Sequence, residues 1–262
     1  MILLPMLLVL QIAAPKHAPP PKPVGPPAPD AERYAHCVDL AERDPVKGAQ
    51  EADRWIAGGG TFLALQCRGL AFANGQRPVD AAADFEGAAK SAEMAQDVRA
   101  GTYWAQAGNA WLAANEPVKA RNALDAALAS GNLTGLQKGE AELDRARALV
   151  AQKQMTEARE TIDRALADAP ADPLAWLLSA TLARRMQDTP RAQKDIDQAL
   201  RLAATDPSVQ LEAGNIAATA RDEDGAKAAW TRVTQLAPNS DQARAAKDAL
   251  AQFDEPAAAA KP

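Results

Sequence analysis

The residues of this 262-residue chain best suited to chemistry are few: two cysteines, Cys37 and Cys67, two histidines, His17 and His36, and 29 Lys and Arg set against 34 Asp and Glu. The thiols could pair with each other or hold a metal together with His36. Three ligands of which two are sequence neighbours make a poor tetrahedron, so no metal site is expected. CxxC and CxxCH are absent, which removes the common dithiol-redox and haem-attachment patterns. HExxH, GxSxG and GxGxxG are absent as well. The carboxylates recur at helical spacings beside Arg and Lys, as Glu142 does with Arg145 and Glu157 with Arg164, and read as solvated helix faces. Neither catalysis nor a bound cofactor is expected. What remains is binding chemistry, because a guanidinium offers a carboxylate two parallel donors. A formal net charge of −5 provides no global field for nucleic-acid phosphates, so no nucleic-acid partner is expected.

The elements that must hold these groups are helices. Apolar residues make up 47% of the chain, most of them Ala, with aromatics at 4% and no run alternating with period two. Such a composition favours helix, since Ala loses no side-chain entropy there. One set of positions then recurs. Counted from Phe62, Gly101, Gly139, Pro173 and Pro207, the eighth slot holds a small residue: Gly69, Gly108, Ala146, Ala180 and Gly214. Slot twenty is Ala in all five units, and slot twenty-four is large and apolar: Phe85, Leu124, Ile162, Ile196 and Trp230. Between the two halves stand breakers such as Asn74-Gly75-Gln76-Arg77-Pro78, Asn115-Glu116-Pro117 and Asp222-Glu223-Asp224-Gly225. The last of these lacks the spaced oxygen ligands and final Glu of a calcium loop. Gly58-Gly59-Gly60 lacks the Lys-Ser/Thr of a phosphate loop and reads as a connection. Each unit is a pair of short antiparallel helices that cannot bury its own apolar face and must stack on copies of itself.

This pattern resembles the tetratricopeptide repeat over roughly residues 30–253, with its small and bulky residues on the first helix and its Ala and large apolar residue on the second. The resemblance implies an all-α, right-handed α-solenoid of about six antiparallel helix pairs with a C-terminal capping helix. The expected units are 30–61, which is degenerate, then 62–100, 101–138, 139–172, 173–206 and 207–240, with a cap at 240–253. Asp53 stands where the first unit should carry a large apolar residue, and Ala183 and Ala217 stand where the family usually has Tyr, which implies thinner packing there. Extra residues near Gln96–Ala100 and Gly135–Lys138 lengthen two connections and are expected to alter the superhelical turn.

In the family, first-helix slots two, five, nine, twelve and thirteen line a concave groove. Carried over, the candidate peptide-binding residues are Asn74, Asn109, Leu112, Leu143, Arg147, Leu177, Thr181, Arg184, Arg185 and Asn215. Amide and guanidinium donors on an apolar strip suit an extended peptide or short helix, with Arg147 and Arg184 as partners for an acidic group. Pairing of these arginines with neighbouring glutamates is the competing reading. The family's carboxylate clamp of Lys, Asn and Arg is not matched. Cys37 at slot eight and Cys67 at slot six fall on facing flanks of neighbouring first helices, so a disulfide between them is expected, against the alternative of two buried free thiols.

Residues 1–14, an apolar run ending in Ile12-Ala13-Ala14, read as a signal peptide too short to span a membrane. Residues 15–29, more than half Pro, read as an extended spacer, and 254–262 as a disordered tail. The expected function is a non-enzymatic, exported, periplasmic adaptor that binds an unidentified protein or peptide, with no stable membrane span after cleavage. The alternative is a self-assembling structural module of the envelope.

Overall fold

The computed structural model describes residues 29–254, and among them thirteen helices and no strand. The expected signal segment, nearly all of the proline spacer and the expected tail from Glu255 lie outside the described residues. Pro29 is itself the first residue of a helix. The helices are α1 (Pro29–Arg43), α2 (Pro45–Ala57), α3 (Phe62–Asn74), α4 (Pro78–Met94), α5 (Ala100–Ala113), α6 (Pro117–Ala129), α7 (Gly135–Ala151), α8 (Met155–Asp168), α9 (Pro173–Arg185), α10 (Thr189–Leu202), α11 (Pro207–Thr219), α12 (Glu223–Leu236) and α13 (Asp241–Asp254). None of them is long and apolar enough to cross a membrane.

Local chemistry sets the boundaries. Asp44, Asp172, Asp188, Asp206 and Asp222 each accept a backbone N–H in the first turn of the helix that follows. Ser240 does the same for α13 through Ala243. At the turn inside five successive pairs, one residue takes a left-handed conformation: Gln76, Asn115, Lys153, Gln187 and Arg221, with φ of 57–64°. In each turn the next backbone N–H reaches five residues back, as Arg77 does to Phe72 (2.8 Å) and Asp222 to Ala217 (2.9 Å). These bonds satisfy helix-end carbonyls and fold the chain back on itself at the same slot each time.

The two helices of a pair meet at the small slot. A Cβ added to Gly69 would lie 2.6 Å from the Phe85 ring, one on Gly108 2.4 Å from Leu124 Cγ, and one on Gly214 2.4 Å from Trp230 Nε1. Where the small residue is Ala, at 146 and 180, the partner sixteen residues on is the β-branched Ile162 or Ile196. Both members of each of these two pairs are essentially buried. In the first unit Asp53 occupies the large slot, and the close approach is made instead between Gly48 and Ala41, where a Cβ would meet backbone at 2.5 Å.

Successive pairs stack so that the odd-numbered helices form one layer and the even-numbered helices another. Each odd helix packs on the next odd helix, save that the α3 and α5 backbones stand farther apart and meet through side chains, Phe62 against Tyr103 and Gln66 to Gln106, whereas even helices pack mainly on odd ones. The odd helices therefore make the inner, concave face. Of the two expected long connections, residues 95–99 form a non-helical turn after an α4 that runs on to Met94, and Gly135–Lys138 form an additional first turn of α7. The lengthened α4 stands where α3 and α5 part.

Slot seven ties the outer layer together. Arg68 on α3 reaches Asp53 of α2 (2.8 Å) and both oxygens of Asp84 on α4 (2.7 and 2.8 Å). Arg145 on α7 likewise reaches Asp125 of α6 and Glu157 of α8, both at 2.6 Å. Ser179 holds the same slot on α9 and bonds Arg159 of α8 and Asp195 of α10. On α11 the slot is Ala213, and with Ala217 it lines an outer groove of about 370 Å³ between α10 and α12, which is the thin packing expected at Ala217.

Cys37 and Cys67 form a disulfide between α1 and α3, with Cα atoms 6.1 Å apart and both residues fully buried. With 30 residues of separation, loop entropy assigns it about 3–4 kcal/mol. Replacing both cysteines by Ala is expected to lower the unfolding free energy by that amount, read as a lower urea midpoint with a slope no smaller than before, and reductant is expected to bring the wild type to the same midpoint. A wild-type midpoint indifferent to reductant would contradict the staple.

Candidate functional site

Between consecutive odd helices the inner layer opens into hollows. One lined mainly by apolar groups lies between α7 and α9 and has a volume of about 350 Å³. Its floor is Leu143 and Ile162, both 2% exposed, and its walls are Val150, Leu178 and Leu182. Two guanidiniums stand at its rim. Arg147 is half exposed and bonded to Asp144 at 2.8 Å. Arg185 is exposed, with no hydrogen bond or ion pair among the described residues. A cation over an apolar well can hold a carboxylate while the well takes the neighbouring side chain.

A second hollow, also about 350 Å³, opens where α3 and α5 part, between Leu70 and Ala73 on one side and Asn109, Ala110 and Ala113 on the other, over Phe85. A third, about 210 Å³, lies between α5 and α7 and is more polar, with Gln106, Gln137, Glu140 and Asp144 around it. Asn109 borders both of these. Its Nδ2 donates to Asp144 at 2.9 Å, and Arg147 donates to the same carboxylate, so Asp144 links the amide of one repeat to the guanidinium of the next.

The ten candidate residues fare differently. Asn109, Arg147, Thr181 and Arg185 surround the hollows, with Leu143 beneath one of them. Leu112 and Leu177 are half-buried and pack on the cores beneath the inner layer. Asn74 is turned away: its Nδ2 donates to the Ala41 carbonyl at 3.1 Å and ties α3 to α1. Arg184, expected to meet a ligand carboxylate, is instead held by both oxygens of Glu212 on α11 at 2.7 and 3.1 Å. Asn215 donates to the same glutamate and accepts from the Trp230 indole N–H. On α9 the cation beside the hollow is thus Arg185, one position on, alongside Arg147 of α7.

Slot six supplies residues that the five-slot stripe omits: Gln106, Asp144, Leu178 and Glu212 all lie on it. At 100° per residue slot six sits 40° from slot two, and this was the available signal. The reading of Glu142 as solvated is also corrected. Glu142 is 3% exposed, its Oε1 lies 3.5 Å from Arg164, and its Oε2 has no hydrogen-bond partner. Burial, and next the Asp168 carboxylate, push its carboxyl above the usual range.

Residues 139–182, which carry most of the α7–α9 hollow, match the family model of the tetratricopeptide repeat. No curated protein matches the chain. Among solved structures, PilW, described as a widely conserved type IV pilus biogenesis factor, is 16% identical and superposes with a TM-score of 0.70, over 84% of this chain and 98% of that one. PilF of Pseudomonas aeruginosa is 14% identical with a TM-score of 0.66, over 85% and 99%. YrrB, described as a TPR protein with an unusual peptide-binding site, is 17% identical with a TM-score of 0.52, over 71% and 91%. Likeness at such identity concerns the fold.

The two classes of arginine separate by stability. Arg184→Ala leaves the carboxylate of Glu212, whose side chain is 9% exposed, without its bidentate partner and is expected to cost about 2–3 kcal/mol. Arg147→Ala removes a half-exposed pair and should cost less than about 1 kcal/mol. Equal losses in urea unfolding would contradict the assignment.

Proposed function

The chain is a tetratricopeptide-repeat protein, and from that premise we propose that it is a non-catalytic adaptor that holds an extended segment of a partner protein on its inner face. The observation that carries this reading is the hollow between α7 and α9, where an apolar well of about 350 Å³ meets two accessible guanidiniums, Arg147 and Arg185. A well of that size accepts one large apolar side chain, and the guanidiniums then meet an adjacent carboxylate, either acidic or C-terminal. Asn109 and Thr181 add polar contacts along the same face. Leu143 shapes the floor, whereas Arg184, Asn215 and Asn74 hold the scaffold.

We place the protein in the cell envelope, exported to the periplasm. The apolar segment at residues 2–14 has the form of an export signal, and the buried Cys37–Cys67 disulfide suits an oxidising compartment. The likeness to PilW, a pilus biogenesis factor, is compatible with that placement.

A photo-crosslinking amino acid tests the reading in cells that make the protein. It is introduced at Leu178, inside the inner hollow, or at Ala229, on the outer groove. A protein crosslinked from position 178 but not 229, and lost when Arg147→Glu and Arg185→Glu are added, is the expected result. Crosslinks from 229 alone, or from 178 to a second copy of this chain, would contradict it, the latter in favour of self-assembly.

A further inference from the structure

Two of the inner hollows are the same site built twice. Leu70 and Arg147 occupy slot nine of their units, Ala73 and Val150 slot twelve, and Phe85 and Ile162 the large slot of the second helix. On the facing first helix, Ala113 and Arg185 both occupy slot thirteen. The two wells therefore open at the same height along their helices, two units apart, and both are about 350 Å³. The third hollow, between α5 and α7, is displaced toward the helix N-termini and presents Glu140, which is exposed, beside Asp144.

Packed helices stand about 8–10 Å apart, and the α3–α5 step is wider, so the two steps between the wells span about 18–22 Å. An extended chain advances about 3.3 Å per residue, which makes that distance about six to seven residues. Alternate side chains of an extended segment point the same way, so two anchors entering wells on one face must be an even number apart. Six satisfies both conditions. Charge then sets the orientation and composition. The Arg147 and Arg185 guanidiniums at one well call for a carboxylate beside that anchor, and Glu140 calls for a donor or basic side chain between the anchors. Asn109 spends its Nδ2 on Asp144, which leaves its Oδ1 to accept a backbone N–H of a segment crossing from one well to the other.

Resting on the groove reading above, we propose that the occupant is an extended peptide segment with large apolar residues at positions i and i+6, an acidic residue next to one of them, and a basic or amide residue between. One anchor enters the well between α3 and α5, and the anchor with the acidic neighbour enters the well between α7 and α9. The spacing is a consequence of the α3–α5 parting, since close packing of those helices would shut the first well.

The test uses the oxidised full chain and a phage-displayed library of fully random ten-residue peptides, followed by synthetic fluorescein-labelled copies of the enriched sequences. Enriched peptides are expected to carry apolar residues six apart with Asp or Glu beside one. Moving one anchor by a single residue should weaken binding about tenfold or more, the scale of losing one buried Leu side chain. Ala73→Trp, at an exposed position, plugs the first well and should abolish the preference for an anchor there, whereas Arg147→Glu with Arg185→Glu should abolish the acidic preference. Peptides that depend on the two arginines but show no six-residue spacing and ignore Ala73→Trp would overturn the two-well register and leave the groove reading standing. Failure to enrich any peptide, or enrichment of peptides indifferent to all three substitutions, would overturn both.

Discussion

One contact recurs through the molecule and sets its dimensions: a first-helix residue with little or no side chain against a large apolar residue sixteen positions later. Its tightness is visible in the space left at the glycines, where an added Cβ would fall 2.4–2.6 Å from Phe85, Leu124 or Trp230. Size is traded across the contact. Gly faces Phe, Leu or Trp, and Ala faces Ile, so the sum of the two stays within what one interhelix distance admits. Because that distance repeats, first helices fall into one layer and second helices into another. The inner hollows then lie between first helices, and which of them opens is decided by small departures from the repeat.

Two such departures matter most. The longer α4 accompanies the parting of α3 from α5, and a hollow floored by Phe85 results. In the first unit Asp53 replaces the large residue, and the missing apolar contact is offset by the disulfide from α1 to α3 and by Arg68, which draws Asp53 and Asp84 together across α3. Arg145 repeats the latter device two units on. Outer helices are thus joined through charge carried by the inner ones, with α8 and α10 also meeting directly through Asp163 and Arg191, and where slot seven is Ala213 the outer groove stays open.

Much of this was legible in the residues. Proline at the first turn of α2, α4, α6, α9 and α11, together with the breakers between helices, marks the pairs within a residue or two, and the small and large slots identify the partners. The cysteine pairing followed from the placement of slots six and eight on adjacent helices. The groove was legible only in outline. Arg184 and Arg185 are neighbours 100° apart on one helix, and which of them meets Glu212 depends on how far α11 is rotated and shifted against α9. Periodicity carries no such information. The burial of Glu142 was hidden for a related reason: its charged neighbours at helical spacing suggest water, while the packing of α8 over α7 takes that water away.

The most direct test of the recurring contact exchanges one pair for another found in the same chain. Helix propensity alone favours Ala over Gly by up to about 1 kcal/mol, whereas overpacking a tight contact costs about 1–3 kcal/mol. Urea unfolding of Gly108→Ala, Leu124→Ile and the double variant, which recreates the Ala–Ile contact of residues 146 and 162, measures the coupling between them. The account predicts that each single change lowers stability and that the double variant returns to wild-type stability or above it. A Gly108→Ala variant as stable as wild type, or losses in the two single variants that simply add, would contradict it.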